Sequence, residues 1–156
     1  RNGEPLREEW VADLRLGQRH DRGQPVVSLM LGLRAVEMER EEEARVLLER
    51  AAVMFAENPD ANARALGLAW RGLARVAASS NRAKDAHLES ARYFTVCWKG
   101  NPRRVDSLVD AVQELVACNE VDAARTLLRD EIPSVADPRT RSKLRELLVQ
   151  LKEKTK

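Results

Sequence analysis

Three stretches decide the fold: Glu39-Arg40-Glu41-Glu42-Glu43-Ala44, Asn81-Arg82-Ala83-Lys84-Asp85-Ala86 and Asn119-Glu120-Val121-Asp122-Ala123-Ala124. Each follows a turn and opens a helical pattern in which the fifth position past the turn is alanine. The alanines Ala44, Ala86 and Ala124 stand 42 and 38 residues apart. A small residue at a fixed place in the second helix of a pair is what a tight crossing requires, because a larger side chain would push the two axes apart. A recurring unit of about 40 residues therefore runs through the chain.

Outward from these units, Gly and Pro cut the sequence into eight segments with apolar residues at three- and four-residue spacing. The first runs from Pro5 to Arg19 with Leu6, Trp10 and Leu14 on one face, and Asp21-Arg22-Gly23 follows as a turn. Pro25 to Met38 is apolar nearly all round and should be the most enclosed helix. Arg40 to Glu57 carries Ala44, Leu48, Ala51 and Phe55 on one stripe, and Asp60 to Ala78 should start on an Asp60 N-cap and turn Leu66, Trp70 and Leu73 inward. Arg82 to Trp98 ends at Gly100-Asn101-Pro102, a glycine followed by a proline. Arg103 to Cys118 and Val121 to Asp130 follow, and Asp137-Pro138, cap then proline, opens the last helix through Leu151.

Composition agrees. Leu (20) and Ala (21) dominate, Ile occurs once and Thr four times, and aromatics make up 4%, so strand formers other than Val are scarce and the chain reads as all-α. With 156 residues it is one domain, 1–156: a leading helix in 1–24, about three helix-pair repeats in 25–133 and a capping helix in 134–156. Basic and acidic residues nearly cancel, 27 against 25, which argues against a strongly basic nucleic-acid binder and implies no bulk electrostatic partner. Val26 to Val36, interrupted by Ser28 and Arg34, is the longest apolar approach and is too short to span a membrane. The opening Arg1-Asn2-Gly3-Glu4-Pro5 has no leader and no initiating Met and reads as an internal boundary, with neighbouring domains expected. Cys97 and Cys118 have neither disulfide-framework nor zinc spacing and read as buried thiols of a reducing, cytoplasmic setting.

Leu31-Gly32 with Ala44 and Ala51, then Trp70, Leu73, Ala74 and Ala86, then Leu108, Leu115 and Ala124 resemble the tetratricopeptide repeat family over about 25–133. Tyr93 and Glu131 stand where that pattern has small residues, and the units exceed the family's usual length, so the likeness is to a degenerate, long-helix variant. Helix pairs of other solenoids, such as HEAT-like arrays, leave similar traces. The resemblance implies a right-handed superhelix of antiparallel helix pairs, about eight helices in all, with a concave inner wall.

Residues that could carry chemistry are thin. His20 lies in a polar segment. His87 and Cys97 are ten residues apart on one helix, about 15 Å of rise, too far for a catalytic couple. Asp106, Asp110 and Glu114 share a helical face but read as solvated carboxylates. No phosphate loop or hydrolase motif occurs, so no catalytic residue, cofactor or metal is expected.

What remains is surface. In the tetratricopeptide register the inner wall would consist of Val26, Leu29, Leu33 and Val36 in the first unit, Arg71 and Arg75 in the second, and Val109 and Gln113 in the third. Arg64, Arg71 and Arg75 recur on one face, where guanidinium forks could hold carboxylates. The family's clamp for chaperone C-terminal peptides uses Lys and Asn where Leu29, Leu33 and Val109 stand, so that ligand is not expected. A basic C-terminal stretch, 139–156, holds seven basic and two acidic residues, as a terminal helix does. The expected function is a non-catalytic scaffold or adaptor module for an acidic or amphipathic peptide or partner helix, its groove filled by the first helix, a second copy (a homodimer) or a foreign partner. A solenoid nucleic-acid binder and an enzyme's regulatory domain are the alternatives.

Overall fold

The computed structural model describes residues 24–153. They form seven α-helices and one 3-10 turn, with no strand among the described residues. The helices are α1 (Pro25–Glu37), α2 (Glu41–Phe55), α3 (Ala63–Arg75), α4 (Ser80–Gly100), α5 (Val105–Ala117), α6 (Val121–Glu131) and α7 (Pro138–Glu153); the 3-10 turn is Ile132–Ser134. The expected count of eight becomes seven here, since the segment Pro5 to Arg19 with Leu6, Trp10 and Leu14 lies outside the described residues. α1, α3 and α5 have the same length, 13 residues, and each is followed by its longer or shorter partner.

The turns after α1 and α5 are built alike. Among the described residues, Glu39 and Asn119 are the two non-glycine residues with positive φ, 57° and 64°. Each closes a helix in the same way. Arg40 donates its backbone N–H to Ala35 and Glu39 to Val36, just as Glu120 donates to Leu115 and Asn119 to Val116. These paired bonds satisfy carbonyls that the last turns of α1 and α5 would leave open. The middle stretch differs: Asn81 is already inside α4, which starts on a Ser79 cap whose hydroxyl accepts from the Arg82 N–H. No glycine adopts positive φ among the described residues, so Gly100 is simply the last residue of α4 and makes no left-handed cap.

Asp60 caps nothing; α3 begins three residues later at Ala63, and Asn62 secures the turn by donating its side-chain amide to the carbonyls of Phe55 and Asn58. Asp137 does cap α7, its carboxylate accepting from the Thr140 N–H and hydroxyl.

Consecutive helices pack on one another, and α1 also packs on α3. Ala44, Ala86 and Ala124 are all buried, as close crossings require. The most enclosed helix is α3 rather than α1. α3 has α1, α2 and α4 around it and buries Ala63, Leu66, Gly67, Ala69, Gly72, Leu73 and Ala74, whereas Val26 on α1 is 54% exposed. Leu48 of α2 is wedged in that junction. A Cβ placed on Gly32 would lie 2.7 Å from Leu48 Cγ, and one on Gly72 would lie 2.6 Å from Leu48 Cδ1. Both helices can approach this leucine only because they present no side chain there.

Two apolar clusters result. The first joins Leu29, Leu48, Phe55, Leu66 and Ala86 across α1 to α4; the second joins Trp98, Leu108, Val112, Leu128 and Leu144 from the end of α4 through α7. The 21-residue α4 belongs to both.

Candidate functional site

Two of the three arginines expected to face a partner, Arg64 and Arg71, face the chain's own acids. Along α3, Arg64 and Arg71 are two turns apart; along α5, Asp106, Asp110 and Glu114 follow one another at one-turn intervals. Arg64 Nη2 lies 3.0 Å from Asp106, and its Nη1 3.4 Å from Asp110. Arg71 donates through Nη2 to Asp110 (2.9 Å) and through Nε to Glu114 (2.6 Å). Glu114 is 5% exposed and is also reached by His87 Nδ1 from α4 at 2.8 Å, while the Arg71 guanidinium lies over the Phe94 ring, 4.6 Å from its centre. Ser107, buried, accepts from Arg64 at 3.0 Å and donates to Cys97 Sγ.

This seam crosses the gap between the two apolar clusters. Its chemistry is that of a tie: two guanidinium groups meet three carboxylates in forked, charge-assisted bonds. Asp110 and Glu114 are thus not a solvated face, while Asp106 stays exposed at the end of the seam, and His87 joins the two arginines and three acids as the sixth side chain of the network. Among the described residues no group of His, Cys, Asp and Glu is arranged to hold a metal ion.

The other proposed groove residues are dispersed. Leu29 is buried in the first cluster, with Leu33 and Val36 half-buried against it, so these three belong to packing rather than to a free wall. Val109 is half-buried on the second cluster. Gln113, Arg75 and Val26 are exposed. Val26, Leu29 and Arg64 line a cavity of about 560 Å³ at the start of α1 that also touches Phe55, Val96 and Cys97.

A second, more apolar hollow lies on the other side of α3. α2 and α4 each pack on α3 rather than on each other, leaving a trough of about 480 Å³ between them. Leu66, Trp70, Leu73, Val76 and Ala77 of α3 and the segment after it form its floor. The α2 wall carries Arg45, Glu49, Ala52, Val53 and Ala56, and the α4 wall carries Arg82, Asp85, Ala86 and Tyr93. Small side chains create the space: the lining includes Ala52, Ala56, Ala77, Ala78 and Ala86. Val53 at the rim is 73% exposed.

Trp70, expected to be core, is half-buried and packs on the first cluster from the trough side. Among the described residues the fully buried tryptophan is Trp98, whose Nε1 donates to Glu131 at 2.8 Å. That bond accounts for Glu131 at a position where the repeat pattern has a small residue, just as Tyr93, the other departure, lines the trough.

Titration is perturbed at the margins of these sites. Burial pushes the Cys118 thiol up, the Glu120 carboxylate beside Lys84 raises that ammonium, and hydrogen bonds from Thr140 hold Asp137 below the usual carboxylate range. None of the three lies in the trough or on the seam. No helix of the described residues is long and apolar enough to cross a membrane. Comparison with protein-family models, with curated proteins and with solved structures gave no match.

Proposed function

We propose that the chain is a non-catalytic interaction module, a tetratricopeptide-like superhelix of helix pairs, that binds a partner protein in the trough between α2 and α4. The observation that carries this reading is the trough itself: an open apolar hollow with an exposed Val53 on its rim and a half-buried Trp70 in its floor. Such a surface is built to be covered. Of the three arginines that a nucleic-acid reading would use for phosphates, Arg64 and Arg71 are engaged by Asp106, Asp110 and Glu114, and Arg75 alone is exposed. A cytoplasmic setting goes with the two free thiols, Cys97 and Cys118.

The test is a pull-down comparing the chain with its Val53→Asp and Gln113→Asp variants. Both side chains are exposed, so neither change disturbs the core. Loss of the partner with Val53→Asp and retention with Gln113→Asp supports the trough. The opposite pattern returns the binding surface to the inner wall of α1, α3 and α5.

A further inference from the structure

We infer that the face of α1 turned away from α2 and α3 is covered by the chain's own leading segment, residues 5–19, folded as a helix antiparallel to α1 with Asp13 beside Arg34.

The face is defined by what α1 lacks. Among the described residues, the helices that pack on α1 are α2 and α3, and α1 buries Ser28, Leu29, Leu31, Gly32 and Ala35 against them. Val27, Met30 and Arg34 follow one another at three- and four-residue spacing and so line the opposite side. Two of the three are apolar, and all three are half-buried rather than open. Arg34 pairs with Glu37 at 3.0 Å, yet its side chain is only 17% exposed and its Nε is buried with no hydrogen-bond partner among the described residues. A buried donor left open is costly. This face calls for an apolar cover that also brings an acceptor.

Position in the array names the cover. α3 and α5, the helices that match α1 in length, each have the preceding helix of the chain packed on them: α2 on α3 and α4 on α5. α1 has no such predecessor among the described residues, but the sequence before it has the means to supply one. Pro5 to Arg19 spans 15 residues, about 22 Å as a helix, against about 20 Å for the 13 residues of α1. Residues 20–24 would join the two, a link of five residues where the links between the seven helices have three to seven. The stripe Leu6, Trp10 and Leu14 supplies the apolar surface that Val27 and Met30 require. A segment on so short a link is held at an effective concentration of about millimolar, an advantage that neither a second copy nor a separate partner has.

Charge fixes the register. Asp13, three residues after Trp10, falls on the same helical face as Leu6 and Leu14, a carboxylate on an otherwise apolar stripe. Across α2 and α3, Leu48 stands seven residues before the end of one helix and meets Gly72, nine residues after the start of the next. Asp13 stands six residues before Arg19, and Arg34 nine after Pro25. The same antiparallel geometry therefore brings the carboxylate to the guanidinium and gives Arg34 Nε its acceptor. α1 lines no part of the trough between α2 and α4, so a segment held here leaves the trough to a partner.

The experiment uses the full chain. Hydrogen exchange read by mass spectrometry should show residues 6–16 protected about tenfold or more over an unstructured peptide, and Met30→Asp should remove that protection while α3 to α5 keep theirs. Asp13→Ala should lower the protection in the parent chain and have no further effect once Arg34→Met has been made. Two cysteine pairs then locate the segment: Asp13→Cys with Arg34→Cys, and Asp13→Cys with Val53→Cys at the trough rim. Mild oxidation should close the first pair within one chain about tenfold faster than the second. Free exchange over residues 6–16, or protection that ignores Met30→Asp, overturns the docking. Faster closure onto position 53 puts the segment in the trough, and a disulfide from 13 to 34 that forms only between two chains makes the occupant a second copy; either result overturns the proposal. Equal loss of protection with Asp13→Ala in both backgrounds overturns the register of Asp13 on Arg34.

Discussion

Replacing Gly32 by alanine should reverse its effect on stability according to what stands at position 48. In the native background two terms compete. Alanine is the better helix former by about 1 kcal/mol. Its Cβ, however, would lie 2.7 Å from Leu48 Cγ and 2.8 Å from Leu48 Cδ2. A branching carbon cannot swing aside as a terminal methyl can, and the space on the far side of Leu48 is already taken by α3 at Gly72. Overpacking of this kind costs about 1 to 3 kcal/mol, so Gly32→Ala should be a net loss of roughly 1 kcal/mol. Leu48→Ala, at a fully buried site, should cost about 2 to 5 kcal/mol. In the Leu48→Ala background the two contacts under 3 Å are gone and only the 3.2 Å approach to Leu47 Cβ remains, while the helix gain persists and the added methyl group fills part of the cavity, so the same Gly32→Ala change should stabilise. Urea denaturation followed by circular dichroism on the four proteins closes the cycle, with the midpoint read at constant m. If Gly32→Ala has the same sign and size in both backgrounds, to within about 0.5 kcal/mol, Leu48 is not the wedge between α1 and α3.

Other consequences can be measured separately. Glu39→Gly should stabilise by about 1 kcal/mol, because only the glycine is free of the cost of positive φ; Asn119→Gly should gain less, since asparagine tolerates that region, and equal gains would contradict the argument. Arg71→Met should cost about 3 kcal/mol by leaving Glu114 buried with His87 as its remaining partner, whereas exposed Arg75→Met should change stability by less than about 0.5 kcal/mol. Arg71→Glu should do worse still by facing Asp110 and Glu114, so it is no probe of binding. Asp137 has a folded-state pKa below its unfolded value, so its contribution is present above about pH 4 and is lost as the pH falls through the folded pKa. Carbon NMR titration should show that depressed midpoint, and Asp137→Asn should remove this acid dependence while keeping a cap on α7.

Local features were legible in the sequence because their causes are local. A turn five residues before an alanine marked Glu39 and Asn119, and Asp137-Pro138 marked the start of α7, since caps and turns depend on residues a few positions apart. The seam was not legible. Arg64 and Arg71 and the acids Asp106, Asp110 and Glu114 each formed a visible stripe, but nothing within one helix says that the two stripes meet across some forty residues. Matching spacings of opposite sign, seven on one helix and four and four on the other, were the available signal. Gly67 and Gly72 also passed unread: a glycine in the middle of a helix announces a close neighbour, here Phe94 and Leu48, without naming it. The trough is harder again, because it exists through the absence of bulk at Ala52, Ala77 and Ala86, and a run of alanines looks the same whether it lines a hollow or a crossing.

The seam between α3 and α5 gives the chain a joint whose response to temperature differs from that of the parts it connects. Hydration of charged groups becomes less favourable on heating, so the cost of keeping Arg71, Asp110 and Glu114 out of water falls as the temperature rises. The two apolar clusters have no such reserve, since their stabilisation levels off with heat while chain entropy grows. Near the melting range the seam should therefore be among the firmest joints of the chain. Thermal opening should begin elsewhere, with α7, held by the second cluster and the Asp137 cap, letting go before α3 and α5 part.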